Sequence, residues 1–202
     1  WRLRDIPVSV RKNGSLQSIL PKLRTLFLPL FIIVFFRMFM VVCMTAFLPT
    51  FMSQNGATLF LAGASLSILE LAGFAGALSG GTLSDKIGRK PLLMVLTILA
   101  PLLMIAFLNV SGWLVVPVLL LYGFVSISPA PVFLALVQDH FPENRAVSNG
   151  LYISMNFLLR SLVLLLVGMA GDAIGLHAAF MGSAALSLLG LAGIFMLPAE
   201  NA

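Results

Sequence analysis

Six long apolar stretches, separated by short polar segments, constrain this chain more than any other feature. A helix that crosses a bilayer needs about 20 mostly apolar residues, and each stretch is close to that length or longer. Hydrophobic residues make up 60% of the chain and charged residues 9%, which is too little polar surface for a soluble protein. We therefore predict an all-α polytopic membrane protein whose main surrounding partner is the lipid bilayer. The predicted spans are Leu26–Met52, Thr58–Gly81, Leu92–Val110, Leu114–Val137, Val147–Ala170 and Ala178–Leu197.

Basic loop residues lie on one side of the predicted spans, and the loops on the other side contain no Lys or Arg. Cytoplasmic loops are enriched in these residues, so we predict that the basic side is cytoplasmic and holds both ends of the chain. The net charge of +5 is interpreted as a signal of topology and lipid contact, with no nucleic-acid partner. The basic residues on this side are Arg2, Arg4, Arg11, Lys12, Lys22, Arg24, Lys86, Arg89, Lys90 and Arg145.

The beginning of the chain leaves two architectures open. The chain starts at Trp1 with a polar, basic segment that runs to Leu23. It could be a complete six-helix protein or half of a twelve-helix protein. Because the segment has the composition of a linker, we expect the second, with a missing N-terminal six-helix half as a partner.

Three charged residues, Arg37, Glu70 and Arg160, fall near the middle of predicted spans. A charge at the centre of a membrane helix costs roughly 2.5–3.5 kcal/mol on insertion scales, so such residues face the protein interior or a water-filled cavity. They could form a structural ion network between helices. We favour a place in a substrate or proton path, because ionisable groups within spans usually serve function.

The fifth span carries a polar face. Asn149, Tyr152, Asn156 and Arg160 are spaced 3, 4 and 4 residues apart, which places them on one side of a helix. We predict that they line the same substrate or proton path. The alternative is that the asparagines only form hydrogen bonds between helices.

Two other spans have an unusual composition. Pro129 and Pro131 remove two backbone donors from the fourth span, which predicts a loosened helix beside protein or a cavity. The second span is predicted to carry small residues on the same face as Glu70, which permit close helix contacts or leave cavity space. These residues are Gly63, Ser67, Gly73 and Ala77, and Gly76 and Gly80 add a further pair of small residues four apart.

No arrangement of residues points to catalysis. The sequence has no Gly-x-x-x-x-Gly-Lys phosphate loop and no His-Glu-x-x-His pair, and both histidines, His140 and His177, lie in predicted loops. The single cysteine, Cys43, allows neither an internal disulfide nor a cysteine metal cluster. We therefore predict no enzyme activity, no cofactor and no metal site.

The segment after the second predicted span resembles a family signature. Residues 81–90, GTLSDKIGRK, match the pattern Gly-x-Leu-x-Asp-Arg/Lys-x-Gly-Arg-Arg/Lys of the major facilitator superfamily at every pattern position. The stretch Pro142–Ala146 is similar to the Pro-Glu-x-x-Arg motif that the family often carries after the fourth span, with the arginine one position early. The motif residues are Gly81, Asp85, Lys86, Gly88, Arg89 and Lys90 in the first, and Glu143 and Arg145 in the second.

The resemblance implies the C-terminal half of a twelve-helix transporter. Residues 1–25 would end the central cytoplasmic loop, and residues 26–110 and 111–202 would form two three-helix repeats of inverted topology. In such a half, the first, second, fourth and fifth spans line the cavity, and the third and sixth spans support them.

The signature loop is implied to form a cytoplasmic gate. Gly81 would let helices come close, and Gly88 would permit a tight turn. Asp85 would contact a helix N-terminus and latch the two halves together. Arg89 and Lys90 would anchor at the anionic inner leaflet.

The resemblance also implies secondary active transport by alternating access, and the chain is similar to bacterial drug-efflux members, including the fosmidomycin-resistance-like group. We predict an antiporter of the bacterial cytoplasmic (inner) membrane that couples proton entry to export of a small organic molecule or drug. Glu70 would carry the proton, while Arg37 and Arg160 would bind an anionic substrate or hold Glu70. The alternatives are symport uptake of an organic anion and a non-transporting membrane scaffold or sensor on the same fold.

Overall fold

The computed structural model describes the backbone of residues 16–197 and the side chains of residues 24–197. The predicted central-loop segment, residues 1–25, lies almost wholly outside the described side chains, together with its basic residues up to Lys22. The described part is helical and contains no strand. Its α-helices are α1 (Leu16–Val42), α2 (Leu48–Gln54), α3 (Leu59–Ile87), α4 (Arg89–Asn109), α5 (Val115–Ile127), α6 (Pro129–His140), α7 (Arg145–Ile174), α8 (Leu176–Ser187) and α9 (Gly190–Met196).

The predicted all-α membrane fold with six spans is confirmed. The described residues contain six helical segments that are long and apolar enough to cross a membrane. Their ends lie within a few residues of the predicted ones, except at the end of the second span. The segments are Arg24–Gln54, Leu59–Ile87, Arg89–Asn109, Gly112–His140, Arg145–Ile174 and Leu176–Met196.

Two predicted loops are largely helical. The second span continues through most of the signature to Ile87, and the fifth continues past its predicted end at Ala170 to Ile174. Single glycines end both helices, with φ of +88° at Gly88 and +85° at Gly175, where a larger residue would be strained. The predicted tight turn at Gly88 is therefore confirmed. Hydropathy ended these spans too early because charges at the membrane interface do not stop a helix.

The first and fourth spans are interrupted at prolines. A π-helical turn, Cys43–Phe47, separates α1 from α2 just before Pro49. Pro49 has no N–H for the carbonyl of Thr45 and its ring crowds the preceding turn, so the helix widens there. In the fourth span α5 ends before Ser128 and α6 begins after it, which confirms the predicted effect of the two prolines.

Glycines let α3 and α5 pack backbone to backbone. At three positions an added Cβ atom would overlap the backbone of the facing helix: Gly76 against Phe124, Gly80 against Ser128, and Gly123 against Leu69. Small residues at such contacts are typical of membrane helices, because they allow the backbones to approach. The predicted close approach at Gly76 and Gly80 is confirmed. Gly63, on the same helix, has no atom within 4 Å of an added Cβ.

The second and fifth spans are the most exposed. Only 28% and 17% of their apolar windows are buried, against 44–50% for the other four spans. α3 packs mainly along α5, and α7 packs mainly along α1. The outward faces carry large apolar side chains, including Leu71 and Phe74 on α3 and Phe157 and Leu158 on α7. These two faces are therefore open to lipid or to further helices.

We expect Gly76→Ala to destabilise the full-length protein by about 1–3 kcal/mol, because the added methyl group overlaps a backbone carbonyl. Gly63→Ala on the same helix is the matched control. It should be neutral or stabilising by up to about 1 kcal/mol, because alanine favours the helix and restricts the unfolded chain. Unfolding titrations in mixed detergent and SDS micelles measure both variants. Equal stability would show that α3 and α5 do not pack backbone to backbone.

Candidate functional site

Arg37 is partly buried in the helical unit, at the break in the fourth span. Its guanidinium group donates a hydrogen bond to the backbone carbonyl of Ser126. It also lies over the ring of Phe133, 5.8 Å from the centroid, which is within the range of a cation–π contact. The charge is therefore held by α5 and α6 on both sides of the break, and no acidic residue within 24–197 forms an ion pair with it.

This acceptor lies next to the break. Pro129 and Pro131 have no N–H for the carbonyls of Val125 and Ile127, which flank Ser126 at the end of α5. The C-terminal end of a helix also carries a partial negative charge, which favours a nearby cation. The hydroxyl of Ser128 lies between two further carbonyl oxygens, 2.9 Å from that of Gly76 and 2.7 Å from that of Phe124. Arg37 and Ser128 thus hydrogen-bond backbone carbonyls around the break.

Both tyrosines of the chain lie near Arg37. Tyr122 on α5 and Tyr152 on α7 lie within electrostatic range of the guanidinium group. Tyr122 is buried and its hydroxyl donates to the carbonyl of Met40 at 3.3 Å. One turn along α7, the amide of Asn156 donates to the carbonyl of Tyr152 at 2.9 Å. The structure therefore brings the predicted residues Arg37 and Tyr152 together where α1, α5 and α7 meet, with Asn156 one helical turn away.

Asn149, predicted on the same face of α7, has an unpaired oxygen. Its Oδ1 atom is buried, and within residues 24–197 no other buried side-chain nitrogen or oxygen lacks a hydrogen-bond partner. Leaving such an atom unpaired costs about 1–3 kcal/mol. The amide oxygen of Asn149 is therefore an available acceptor on α7.

Glu70 and Arg160 lie on the outside of the six-helix unit. Arg160 donates to Oγ1 of Thr45 at 3.3 Å, and Thr45 donates to the carbonyl of Val41 at 2.9 Å. Within the described part of the chain, Arg37, Glu70 and Arg160 form no ion pair with each other. The ion network considered from the sequence is therefore not formed, and the two arginines use neutral oxygen atoms instead.

The small residues near Glu70 divide into two groups. Gly63 and Ser67 are exposed on the same side of α3 as Glu70. Gly73 is buried, and an added Cβ there would overlap the side chain of Ile127. The prediction of one small-residue face around Glu70 is therefore only partly right, because the buried glycines serve the contact with α5.

The signature ties the third span to the fourth and sixth spans. Arg89, at the start of α4, forms an ion pair with Asp139 near the end of α6. Lys90 donates through Nζ to the carbonyls of Phe195 and Leu197 at 3.5 and 3.2 Å, where α9 ends. A cation at a helix C-terminus is favoured by the helix dipole. The structure thus gives both basic residues partners within the protein.

The other signature residues face away from the unit. Gly81 has no atom within 4 Å of an added Cβ, so no helix of the described chain approaches it. Asp85 and Lys86 are exposed in the last turn of α3. The helix N-terminus that Asp85 was expected to contact is not supplied by residues 24–197. Gly88 ends α3, and its N–H donates to the carbonyl of Ser84 at 3.0 Å.

The second motif forms the turn before α7. Glu143 and Arg145 are both exposed, and neither takes part in an ion pair with another described residue. Asn144 precedes the helix, and the hydroxyl of Ser148 donates to its carbonyl at 3.1 Å. This motif therefore shapes the start of α7 and lies apart from the Arg37 region.

Sequence reasoning missed Tyr122 and Asp139. A buried tyrosine needs a partner for its hydroxyl, so a lone tyrosine within the apolar fourth span was a signal of a polar region. Asp139 was an acid at the same predicted membrane side as Arg89, and that shared side was the available signal. Neither signal identifies the residue that Tyr122 or Asp139 contacts, because these contacts join residues far apart in the chain.

A double-mutant cycle on Arg89 and Asp139 should reveal their coupling. We expect Arg89→Gln and Asp139→Asn each to lower stability, and the double variant to lose about 0.5–1 kcal/mol less than the sum, because the ion pair is lost only once. The coupling is small because the Asp139 side chain is 58% exposed. A cycle of Arg89→Gln with Glu143→Gln, an exposed acid that Arg89 does not contact as an ion pair, should be additive. Additivity in both cycles would contradict the pair.

Comparison with known proteins agrees with the helical architecture and the signature. The family model described as Major Facilitator Superfamily matches residues 1–164, which is more than half of the chain. No curated protein and no solved structure gives a significant match. With six membrane-length helices and this match, the chain belongs to the Major Facilitator Superfamily and is a membrane transporter.

Proposed function

We propose that this chain is the C-terminal half of a secondary active transporter of the bacterial cytoplasmic membrane, which exports a small organic molecule in exchange for protons by alternating access. The observation that carries the proposal is the partly buried Arg37 at the break in the fourth span. Its charge is held by a carbonyl and an aromatic ring, and two tyrosines lie nearby. A polar substrate group can replace such neutral contacts without breaking an ion pair.

The outward charges support a second half. Glu70 and Arg160 lie on the two most exposed spans. If these side chains faced lipid, each charge would cost at least roughly 2.5 kcal/mol near the bilayer centre. Against a second six-helix unit, both would line a water-filled path between the halves. Asp85 and the bare surface at Gly81 would meet the same partner at the signature end.

Glu70 is the proposed proton carrier. It lies eleven residues into α3, whereas the other described acidic residues lie close to the ends of spans or in turns. No described basic residue forms an ion pair with it. Its carboxyl group is thus free to bind a proton when the path opens to one side and to release it on the other.

We expect Glu70→Gln to abolish transport driven by a pH gradient while leaving exchange of substrate for substrate intact. Glutamine keeps the size and polarity of the side chain but cannot carry a proton. The measurement uses the full-length protein in liposomes, with candidate organic substrates detected first by the discharge of an imposed pH gradient. Retained exchange shows that the variant is folded and binds substrate.

Glu143→Gln is the matched control, since Glu143 is exposed in the turn before α7. Its gradient-driven transport should equal that of the unaltered protein. Normal gradient-driven transport by Glu70→Gln would overturn proton coupling through this residue.

Arg37 should tolerate even a conservative change poorly. Arg37→Lys keeps the charge but loses the planar group that lies over Phe133 while it donates to the Ser126 carbonyl. We expect substrate exchange to fall about tenfold or more. Arg160→Lys, at an exposed site with one side-chain contact to Thr45, should lose much less. Equal losses in exchange assays would contradict the central place of Arg37.

Symport uptake of an organic anion is the second candidate. The observation that favours it is the excess of positive charge within the spans, which contain two arginines, Arg37 and Arg160, and one acid, Glu70, near their middle. The direction of flux distinguishes the two functions in the same liposomes. Substrate that moves with the protons indicates symport, and substrate that moves against them indicates export. Absence of flux for every candidate would instead support a scaffold or sensor.

A further inference from the structure

A cavity of about 520 Å³ lies at the end of the unit opposite the signature, between α2, α3, the end of α4 and the start of α5. Its volume falls within the range of ligand sites, about 300–1,000 Å³. Its walls are mostly apolar and include Phe51, Ile68, Phe107 and Leu119. We propose that this cavity binds an uncharged lipophilic molecule that carries a hydroxyl group and comes from the surrounding lipid. The site is distinct from the Arg37 region, with which it shares no lining residue.

The lining excludes a charged ligand. None of the residues that surround the cavity is Asp, Glu, Lys or Arg, and His177 is the one titratable side chain among them. An ion that leaves water for mostly apolar walls without a charged partner loses hydration free energy that these walls do not return. The occupant is therefore neutral.

Two side chains supply hydrogen bonds to a polar group. Asn55 lines the cavity, and its Nδ2 atom donates to the carbonyl of Phe51 at 2.8 Å, so that its Oδ1 atom stays available as an acceptor. His177 packs against Phe51, with ring centroids 6.4 Å apart, and its imidazole carries an N–H donor. A hydroxyl group both donates and accepts, so it can use the two side chains together.

The aromatic wall is fixed by packing. Phe51 is 7% exposed and stacks on Phe180, with centroids 4.9 Å apart, and its ring also contacts Phe107 at 5.7 Å. Such contacts join the first, third and sixth spans at this end of the unit. The cavity is therefore bounded by a rigid face.

The rim points to access from lipid. Leu61 and Gly112 line the cavity, and their neighbours in the chain are among the most exposed apolar residues of the described part. Leu59, Phe60 and Trp113 are 84%, 81% and 79% exposed. Tryptophan and other apolar residues at the end of a span lie at the interface between lipid and water. A lipophilic molecule in that layer would meet this rim first.

Photolabelling of the full-length protein in lipid nanodiscs tests the site. The probe is azioctanol, a diazirine analogue of octanol, and its hydroxyl-free analogue azioctane is the comparison. We expect azioctanol adducts, mapped by peptide mass spectrometry, to concentrate in residues 51–68 and 107–119. Labelling there should be displaced by excess octanol and should exceed labelling by azioctane.

Variants of two alanines on α3 give the matched test. Ala64 lines the cavity, whereas Ala75 is exposed on the outer side of the same helix. Ala64→Leu fills the cavity and should lower saturable labelling about tenfold, while Ala75→Leu should leave it unchanged. Asn55→Leu should remove the preference for azioctanol over azioctane, since it removes the Oδ1 acceptor.

The proposal is overturned by labelling that octanol does not displace, or that falls mainly on the outward residues Leu71 and Phe74. It is also overturned if a monodisperse Ala64→Leu protein is labelled as strongly as the unaltered one. If Ala64→Leu does not fold, displacement by octanol in the unaltered protein and the Asn55→Leu comparison decide the question.

Discussion

A positive charge inside a membrane unit has to be satisfied by protein groups, and Arg37 imposes that requirement on this fold. The fourth span meets it at an interruption of its helix. Pro129 and Pro131 have no N–H to donate to the carbonyls of Val125 and Ile127, and the helix is interrupted at Ser128. Arg37 donates to the carbonyl of Ser126, which lies between those two carbonyls in the chain. The interruption thus places a neutral acceptor next to the charge.

α3 packs against the same part of the fourth span. Gly76 and Gly80 bring α3 against the backbone of Phe124 and Ser128, and the hydroxyl of Ser128 lies 2.9 Å from the carbonyl oxygen of Gly76. The buried glycine stripe also fixes which side of α3 points outward. Residues about 100° away from that stripe face out, and Glu70 is among them. The placement of the proposed proton carrier is therefore a consequence of the helix contact on the opposite side of α3.

Local features of the sequence were enough for the spans, the proline break and the glycine turn at residue 88. Span lengths depend on hydrophobicity alone, and the effects of proline and glycine depend on their own backbone chemistry. Spacing also placed Tyr152 and Asn156 on one face of α7. It could not show that Arg37 lies near that face, nor that Arg89 pairs with Asp139, because both contacts depend on how distant helices pack.

Span ends were less predictable than span positions, for a related reason. Mean hydropathy falls at charged residues, whereas a helix continues for as long as its backbone hydrogen bonds can form. The second span therefore continues through Asp85 and Lys86 until Gly88 turns the chain. The π-helical turn at Cys43–Phe47 was not foreseen either, because one proline can bend, widen or end a helix, and tertiary contacts decide which of these occurs.

Both arginines within the spans contact an interruption of another helix. Arg37 binds the carbonyl at the break between α5 and α6, and Arg160 binds Thr45 in the π-helical turn of the first span. At the signature end, by contrast, Arg89 and Lys90 hold the third span to its neighbours. Under the proposed transport function, most of the unit would therefore move as a rigid body, with local change confined to the two interruptions. A substrate group that binds either arginine would remove the contact of that arginine with an interrupted helix, in the fourth span for Arg37 and in the first span for Arg160. Binding would thereby be coupled to the shape of the helices around the path.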